Sequence, residues 1–220
     1  MPPCALLFDL DGTLIDSAPD LKRAINLVLV ARGRAPLDLG QVTSMVGDGA
    51  ARLVERAFQA TGEPLDDSGP ETAAFLEAYS GHEAVETRLY PGVPETLAEL
   101  VQRGHPMGLC TNKPEAPARA LLEHFGLTAM FGTVIGGDTL PGFRKPRAEP
   151  LLQALENLAI DRQEWCHALM VGDNANDIRS GEAAGLKTVL VSYGYHQGRL
   201  AALQPSHRID RFEDLLSLKF

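Results

Sequence analysis

The chain has 220 residues, which is enough for one ordinary domain or for a compact domain with a small second one. Apolar residues make up 45% of the chain and charged residues 22%, a composition that excludes a largely disordered protein. The net charge of −9 speaks against nucleic acid as a partner, and no apolar run approaches the roughly 18 residues of a membrane span.

The first residues, from Met1 to Phe8, contain neither the basic region nor the long apolar region of a signal peptide. The three cysteines, Cys4, Cys110 and Cys166, lack metal-type spacing and are predicted to be small buried side chains rather than disulfide partners. We therefore expect a cytoplasmic protein that contacts no membrane.

The first predicted strand is the apolar run from Ala5 to Phe8, which ends directly before acidic residues. Such runs are typical of strands that are buried on both faces of a parallel sheet. A long helical block, described below, follows this first strand.

Beyond that block, strand-like runs alternate with helical patterns. The runs cover residues 106–110, 133–135, 168–171 and 188–191. The helical patterns cover residues 93–104, 151–158 and 178–185, and the tail contains a short edge strand at 208–210 and a terminal helix at 212–218. This alternation predicts a doubly wound, Rossmann-like parallel α/β core.

Residues 17–88 interrupt the alternation with helix after helix. Ser17 is predicted to cap the first helix, which has Pro19 in its first turn. Three more helices are predicted around residues 42–46, 53–58 and 73–79. We expect a helical domain of residues 17–88 inserted into a core domain of residues 1–16 and 89–220. The alternative is one long crossover in a single domain, but four helices are too many for it.

Two carboxylates, Asp9 and Asp11, stand two residues apart where the first strand ends, and Gly12 permits a turn there. Ligands of open α/β sheets bind at the carboxyl ends of strands. One carboxylate can attack phosphorus to form an acyl phosphate, while the other donates a proton and then activates water. The alternative interpretation is a solvated turn.

A second acidic segment follows the run at 168–171. Asp173, together with Asp9 and a backbone carbonyl, offers the hard oxygen ligands that Mg²⁺ prefers. Asp177 is placed to hold a metal-bound water or to orient Lys145. It is also placed to act simply as an acid at a helix N-terminus.

Two further strand ends add donors for an anion. Thr111 and Asn112 follow the run at 106–110, and Lys145 precedes the helix at 151–158. A hydroxyl, backbone N–H groups and a lysine are suited to bind phosphoryl oxygens. Taken alone, each has an ordinary alternative, a turn for the first pair and a surface position for the lysine.

Together these segments resemble the haloacid dehalogenase superfamily over essentially the whole chain. Asp9-x-Asp11-Gly12-Thr13 matches the first motif of the family, Thr111 the second, Lys145 the third, and Gly172-Asp173 with Asp177 the fourth. The resemblance implies that Asp9 is the nucleophile and Asp11 the general acid and base. It implies that Thr111 and Lys145 bind the phosphoryl group. It also implies that Asp9, the backbone carbonyl of Asp11, and Asp173 hold Mg²⁺. The helical insert would be a cap that closes over the site.

Within the superfamily, segments 16–21, 46–57 and 110–113 resemble the bacterial phosphatases that act on 2-phosphoglycolate. This resemblance places a loop of Gly47, Asp48 and Gly49 opposite the active site, where a cap reads the leaving group. Arg52 is then a candidate partner for a substrate carboxylate, because a guanidinium matches a carboxylate in shape. The alternative for Arg52 is an exposed arginine on a helix.

Two positions depart from that subgroup, Asn174 where serine is usual and Ala148 where proline is usual. Neither removes a catalytic atom. We expect a small phosphorylated metabolite as substrate, with 2-phosphoglycolate ahead of sugar phosphates and pyrophosphate, and a chain that is a monomer or a homodimer.

Other functions fit the sequence less well. A hexose-phosphate mutase shares both acids and the cap, and the sequence separates it only weakly, because the difference lies in how well water is excluded. A phosphonate hydrolase of the family has alanine where Asp11 stands, and a dehalogenase needs neither Asp11 nor Mg²⁺. Signalling receiver domains also form an aspartyl phosphate, but they have about half this length, lack the helical insert and phosphorylate a middle strand.

Overall fold

The structure, a computed structural model, describes residues 3–195 and 203–218. The strands are, in chain order, β1 (Leu6–Phe8), β2 (Ile15–Asp16), β3 (Arg88–Leu89), β4 (Met107–Cys110), β5 (Thr133–Ile135), β6 (Leu169–Gly172), β7 (Lys187–Val191) and β8 (His207–Ile209). The α-helices are α1 (Ala18–Ala31), α2 (Leu39–Thr43), α3 (Ala50–Thr61), α4 (Gly69–Tyr79), α5 (Val93–Gln102), α6 (Glu115–His124), α7 (Glu149–Asn157) and α8 (Ala175–Ala184).

Six strands form one parallel sheet in the order β5-β4-β1-β6-β7-β8, which confirms the predicted α/β fold. Strand β1 is central, with Phe8 opposite Leu109 of β4 on one side and Val171 of β6 on the other. Its side chains alternate between two apolar cores, since Leu6 and Phe8 pack on one face and Leu7 on the other. The carboxyl ends of β4, β1 and β6 therefore meet at one edge of the sheet.

Helices α1 to α4 were all predicted, and they share an apolar core of their own. That core contains Leu21, Ala24, Ile25, Val28, Leu29, Leu37, Val42, Met45, Leu53, Val54, Ala57, Phe58, Phe75 and Tyr79. The two chain segments that join these helices to the sheet pair with each other as the antiparallel ribbon β2–β3, which was not predicted. Two-residue strands contain too short a pattern to be recognised in a sequence.

Several local predictions were wrong. Ser17 stands directly before α1, but its side chain makes no capping hydrogen bond and instead donates to Asp11 Oδ1 at 2.5 Å. Helix α2 begins and ends earlier than predicted because a capping box at Asp38 and Gln41 fixes its start. The terminal helix is a 3₁₀ segment, Phe212–Ser217, that packs Phe212 and Leu215 into the core.

Two further features differ from expectation. Helix α6 was not predicted, although Ala118, Leu121 and Leu122 form its buried face. The cysteines are free, but Cys110 alone is fully buried, since Cys4 is half-buried and Cys166 is exposed.

Within the described residues, no helix combines the length and hydropathy needed to cross a membrane.

One buried carboxylate ties the first inserted helix to the returning chain. Asp20 lies in the first turn of α1 and is fully buried. Its Oδ2 accepts hydrogen bonds from the backbone N–H groups of Glu86 and Thr87 at 2.9 and 2.8 Å and from the Thr87 hydroxyl at 2.8 Å. These contacts stabilise the start of the helical unit, which consists of α1 to α4 (residues 18–79), beside the β2–β3 ribbon.

We predict that Asp20→Ala lowers the free energy of unfolding by about 3 kcal/mol, because it leaves buried donors without an acceptor. Urea denaturation followed by circular dichroism measures the change. Asp66→Ala is the matched control, since Asp66 is exposed in the loop between α3 and α4 and its loss should cost less than about 0.5 kcal/mol. Equal losses in the two variants would contradict this role for Asp20.

Candidate active site

Three neighbouring strands deliver the predicted functional residues to one place. Asp9 follows β1, Thr111 follows β4, and Asp173 follows β6, and all three side chains are buried. The backbone N–H of Asp9 donates to the carbonyl of Val171 at 2.9 Å, so the sheet hydrogen bonding continues into the site. The positions of these side chains are therefore fixed by the register of the sheet.

The turn after Asp9 brings the backbone against Asp173. Gly12 has φ of +84°, and a Cβ built on it would lie 2.5 Å from Asp173 Oδ2. A side chain at this position would therefore be strained and would also collide with the carboxylate. Thr13 Oγ1 donates to Asp173 Oδ1 at 3.4 Å, and the backbone N–H of Tyr195 donates to Oδ2 at 2.7 Å.

Three buried carboxylates converge beside this turn. Asp9, Asp173 and Asp177 each place an oxygen within 4.8 Å of the others. Burial, together with the Asp177 and Asp9 charges, raises the pKa of Asp173 well above its ordinary value. Burial also raises the pKa of Asp177 to about 7, although the ammonium group of Lys145 opposes that shift.

Lys145 is the cation of this cluster. Its Nζ lies 2.9 Å from Asp9 Oδ1 and 2.5 Å from Asp177 Oδ1. Burial lowers the pKa of Lys145, but Asp177 and Asp9 raise it by more, so the net pKa is raised and the side chain stays charged. Asp177 contacts Lys145 and also accepts from the backbone N–H of Asn174 at the start of α8, so the geometry fits both the orienting role and that of an acid at a helix N-terminus.

The cluster fits a divalent cation. Three carboxylates face a single ammonium group, and all four side chains are buried, so negative charge exceeds positive charge where water cannot screen it. Carboxylate oxygens are the donors that a hard cation prefers.

Asp11 points away from this cluster, towards a lysine that the sequence analysis did not single out. The Nζ of Lys113 lies 3.1 Å from both carboxylate oxygens of Asp11 and donates to the Tyr79 hydroxyl at 3.0 Å. Lys113 occurs in the segment that continues from Thr111, and Thr111 Oγ1 accepts from its backbone N–H at 3.2 Å. Two signals in the sequence pointed to Lys113: its position shortly after a strand end and its place in segment 110–113, which carries the family resemblance.

The loop of Gly47, Asp48 and Gly49 contacts the core. The carbonyl oxygen of Gly47 accepts hydrogen bonds from Asn112 Nδ2 at 3.0 Å and from Asn176 Nδ2 at 3.2 Å. Asn176 Nδ2 also donates to Asp48 Oδ1 at 2.6 Å. The loop is thus held against the strand ends, and the Asp48 carboxylate is used in this contact.

Asn112 has a second contact on the core side. Its Nδ2 also donates to the carbonyl oxygen of Lys145 at 3.0 Å, while its Oδ1 is buried without a hydrogen-bond partner. Asn112 therefore links the 47–49 loop to the segment that positions Lys145.

A cavity of ≈ 40 Å³ lies between the helical unit and the strand ends. Its floor consists of polar groups from the core and its roof of apolar side chains from α1, α3 and α4. The lining residues are Asp9, Asp11, Leu21, Val46, Gly47, Gly49, Ala50, Leu53, Phe75, Leu76, Tyr79, Thr111, Asn112, Lys113, Pro114 and Pro117.

Arg52 does not line this cavity. Its side chain is 59% exposed and forms an ion pair of 2.6 Å with Glu55, one turn further along α3. It faces an outer cleft together with Arg56, Arg144 and Lys145. The structure thus does not bring Arg52 together with Asp9 and Asp11, and it agrees with the alternative of an exposed arginine on a helix.

We predict that a divalent cation stabilises the protein through the carboxylate cluster. At a Mg²⁺ concentration about 100 times the dissociation constant, the melting temperature should rise by roughly 5–10 °C. Asp173→Asn should abolish the rise, because it removes a ligand and a charge, while Asp66→Asn on the exposed loop should preserve it. If Mg²⁺ raises the melting temperature of Asp173→Asn as much as that of the parent protein, the cation binds elsewhere.

The same cluster predicts a pH dependence. Protons compete with the cation for carboxylates whose pKa values are raised, and the pKa of Asp177 is about 7. The apparent affinity for Mg²⁺ should therefore fall as the pH is lowered through about 7, which titration calorimetry at several pH values would measure. An affinity that is constant between pH 8 and pH 5.5 would contradict this reading.

The chain matches known proteins over most of its length. Residues 5–185 match the family described as haloacid dehalogenase-like hydrolase. The chain is 43% identical over 219 residues to the phosphoglycolate phosphatase of Rhodospirillum rubrum, covering 97% of this chain and 89% of the relative. It is 44% identical over 214 residues to that of Rhodobacter capsulatus, covering 96% and 94%.

A solved structure shares the fold. The crystal structure of "a predicted phosphoglycolate phosphatase" from Haemophilus somnus 129PT superposes with a TM-score of 0.89 at 31% identity, covering 98% of this chain and 97% of that one. The resemblance inferred from the motifs is therefore confirmed: the chain belongs to the haloacid dehalogenase-like hydrolase family.

Proposed function

We propose that this phosphatase hydrolyses the phosphate monoester of a small metabolite, 2-phosphoglycolate, through a phosphoryl group carried on Asp9. The observation on which the proposal rests is the position of the Asp9 carboxylate. It borders the cavity that Asp11 also lines, and it lies 2.9 Å from the ammonium group of Lys145. The relatives at 43% and 44% identity are named phosphoglycolate phosphatases, which supports this substrate.

The first half of the reaction transfers the phosphoryl group to the protein. A carboxylate oxygen of Asp9 attacks phosphorus, and the bond between phosphorus and the ester oxygen breaks. Asp11 gives its proton to the departing oxygen, so glycolate leaves as the alcohol. Lys145 and Thr111 stabilise the negative charge on the transferring oxygens.

The second half restores the protein. Asp11, now a carboxylate, takes a proton from a water molecule whose oxygen attacks phosphorus. The bond between phosphorus and Asp9 breaks, inorganic phosphate leaves, and Asp9 is again a carboxylate. Asp9 and Asp11 thus act in succession, one as the nucleophile and the other as the acid and then the base.

Mg²⁺ is the proposed cation, held by Asp9, Asp173 and the backbone carbonyl of Asp11, with Asp177 beside them. When bound, it offsets the charge of phosphate against the buried carboxylates. Asp177 and Lys145 keep their hydrogen bond of 2.5 Å, which holds the ammonium group towards Asp9.

We further propose that residues 17–88 are a cap domain and residues 1–16 and 89–220 the core domain. The separate apolar core of α1 to α4 and the β2–β3 ribbon at the junction support this division. The small cavity under the apolar roof favours a small ester over a phosphoprotein, because ≈ 40 Å³ leaves little room beside Asp9. The oligomeric state, monomer or homodimer, stays a prediction.

The proposal is tested by phosphate release from a panel of esters: 2-phosphoglycolate, sugar phosphates and pyrophosphate, with and without Mg²⁺. We expect the highest kcat/KM for 2-phosphoglycolate and a loss of at least about 10³-fold in Asp9→Asn. Asp66→Asn is the control for the change in charge. A parent protein that releases no phosphate, or moves it between sugar hydroxyls instead, would refute the proposal and favour a mutase.

A second prediction separates the two roles of Asp11. Asp11→Asn should lower turnover of 2-phosphoglycolate by roughly 10²–10⁴-fold, since both the proton donor and the base are lost. With p-nitrophenyl phosphate, whose leaving group needs no proton, the first step should survive and phosphorylated protein should accumulate. Mass spectrometry of the quenched reaction would detect an added phosphoryl group. Its absence, together with normal turnover, would assign another residue as base.

A further inference from the structure

Lys113 has no part in the phosphoryl transfer described above, yet it is among the most strongly held side chains of the cavity. Its side chain is 4% exposed, and its Nζ contacts both oxygens of Asp11 at 3.1 Å and the Tyr79 hydroxyl at 3.0 Å. Asp11 belongs to the β1 end of the sheet and Tyr79 to α4 of the helical unit. The ammonium group therefore lies where the two parts of the molecule meet.

The surroundings keep Lys113 charged. Burial alone lowers its pKa, but Asp11 and Tyr79 raise it by more, and the net pKa lies above the ordinary value. Burial raises the pKa of Tyr79 to about 12, so its hydroxyl remains neutral and accepts from the ammonium group. The ammonium group has three N–H donors, and the contacts with the two Asp11 oxygens and the Tyr79 hydroxyl use all of them, so a substrate carboxylate would share Nζ with Asp11 or displace one of its oxygens.

Lys113 is the one cationic side chain among the described residues that line the cavity. The roof above it consists of apolar groups such as Leu21, Leu53 and Phe75, which would exclude an unpaired anion. Arg52, the residue that the sequence suggested for a substrate carboxylate, is paired with Glu55 on the outside. A second negative charge on the substrate thus finds its partner in Lys113.

The chemistry of the proposed substrate fits this position. Asp11 must reach the ester oxygen to protonate it. In 2-phosphoglycolate the carboxylate is attached to the carbon that bears this oxygen, so its oxygens lie roughly 3–4 Å from the ester oxygen. A cation that touches Asp11 is accordingly within reach of the carboxylate.

We infer that Lys113 is the residue that selects phosphate esters with a carboxylate next to the ester carbon, by pairing with that carboxylate. The inference rests on the proposed function and deepens it. An ester without the carboxylate lacks this additional ion pair with Lys113, so it gains less binding energy in the transition state. The ammonium group of Lys113 thus contacts Asp11, the proposed general acid, and also selects the substrate.

The test compares kcat/KM for 2-phosphoglycolate with that for ethyl phosphate, which has the same carbon chain and no carboxylate. The parent protein should prefer 2-phosphoglycolate, and Lys113→Met should lower the ratio of the two values by roughly 10–100-fold. Arg52→Met is the matched control, and it should leave the ratio within about two-fold. A purely structural role of Lys113 would lower both values equally and leave the ratio unchanged.

Tyr79→Phe provides a second, milder variant that keeps Lys113 and the aromatic ring. It removes the hydroxyl that positions Nζ, and the ratio should fall by a few-fold. If Lys113→Met is inactive towards both esters, an unchanged ratio in Tyr79→Phe overturns the inference. A ratio that falls in Arg52→Met but not in Lys113→Met overturns it as well.

Failure of the proposed function has a different result. A parent protein with no preference for 2-phosphoglycolate over ethyl phosphate would refute that substrate before any variant is made. A parent preference that survives in Lys113→Met would leave the substrate intact and refute the role of Lys113 alone.

Discussion

Four carboxylates and two ammonium groups are packed together at the carboxyl end of the sheet. Lys145 pairs with Asp9 and Asp177, and Lys113 pairs with Asp11, while Asp173 has hydrogen bonds but no cation. Moving such charges out of water is costly unless they are matched. With all four carboxylates ionised, two negative charges would be unmatched. Burial, together with the charges of Asp177 and Asp9, raises the pKa of Asp173. The two lysines offset part of this negative charge. The proposed cation would offset the rest and would allow an anionic substrate to bind.

The sheet makes this concentration of charge possible. Strands β4, β1 and β6 are neighbours and parallel, so their ends supply residues to one small volume. Backbone hydrogen bonding fixes the register of these strands and so the positions of the residues at their ends. The turn at Gly12 allows the chain to pass within contact distance of Asp173. A fold with buried strands on both sides of β1 gives these acids little freedom to move apart and relieve their repulsion.

The helical unit contributes contacts as well as a roof. Gly47 accepts hydrogen bonds from Asn112 and Asn176 of the core, and Tyr79 meets Lys113. Each of these core residues lies at or beside a strand end that carries a predicted functional group. The position of the helical unit is thereby coupled to the geometry of the site.

The sequence by itself indicated the six strands of the main sheet, most of the helices, and Asp9, Asp11, Thr111, Lys145 and Asp173 as candidate site residues. Apolar runs, glycine stops and acids at strand ends are local patterns, and local patterns can be read from neighbouring residues. Helix α6 and the β2–β3 ribbon escaped because their patterns are weak or too short.

The tertiary structure alone decided which charges meet. Ser17 could have capped α1, and Arg52 could have faced the cavity, but Ser17 bonds to Asp11 and Arg52 pairs with Glu55 outside. Lys113 became a candidate because its Nζ lies 3.1 Å from a carboxylate oxygen of Asp11, although the two residues are 102 positions apart in the chain. Side-chain partners of this kind follow from the packing of the helical unit on the sheet, and sequence spacing contains no information about that distance.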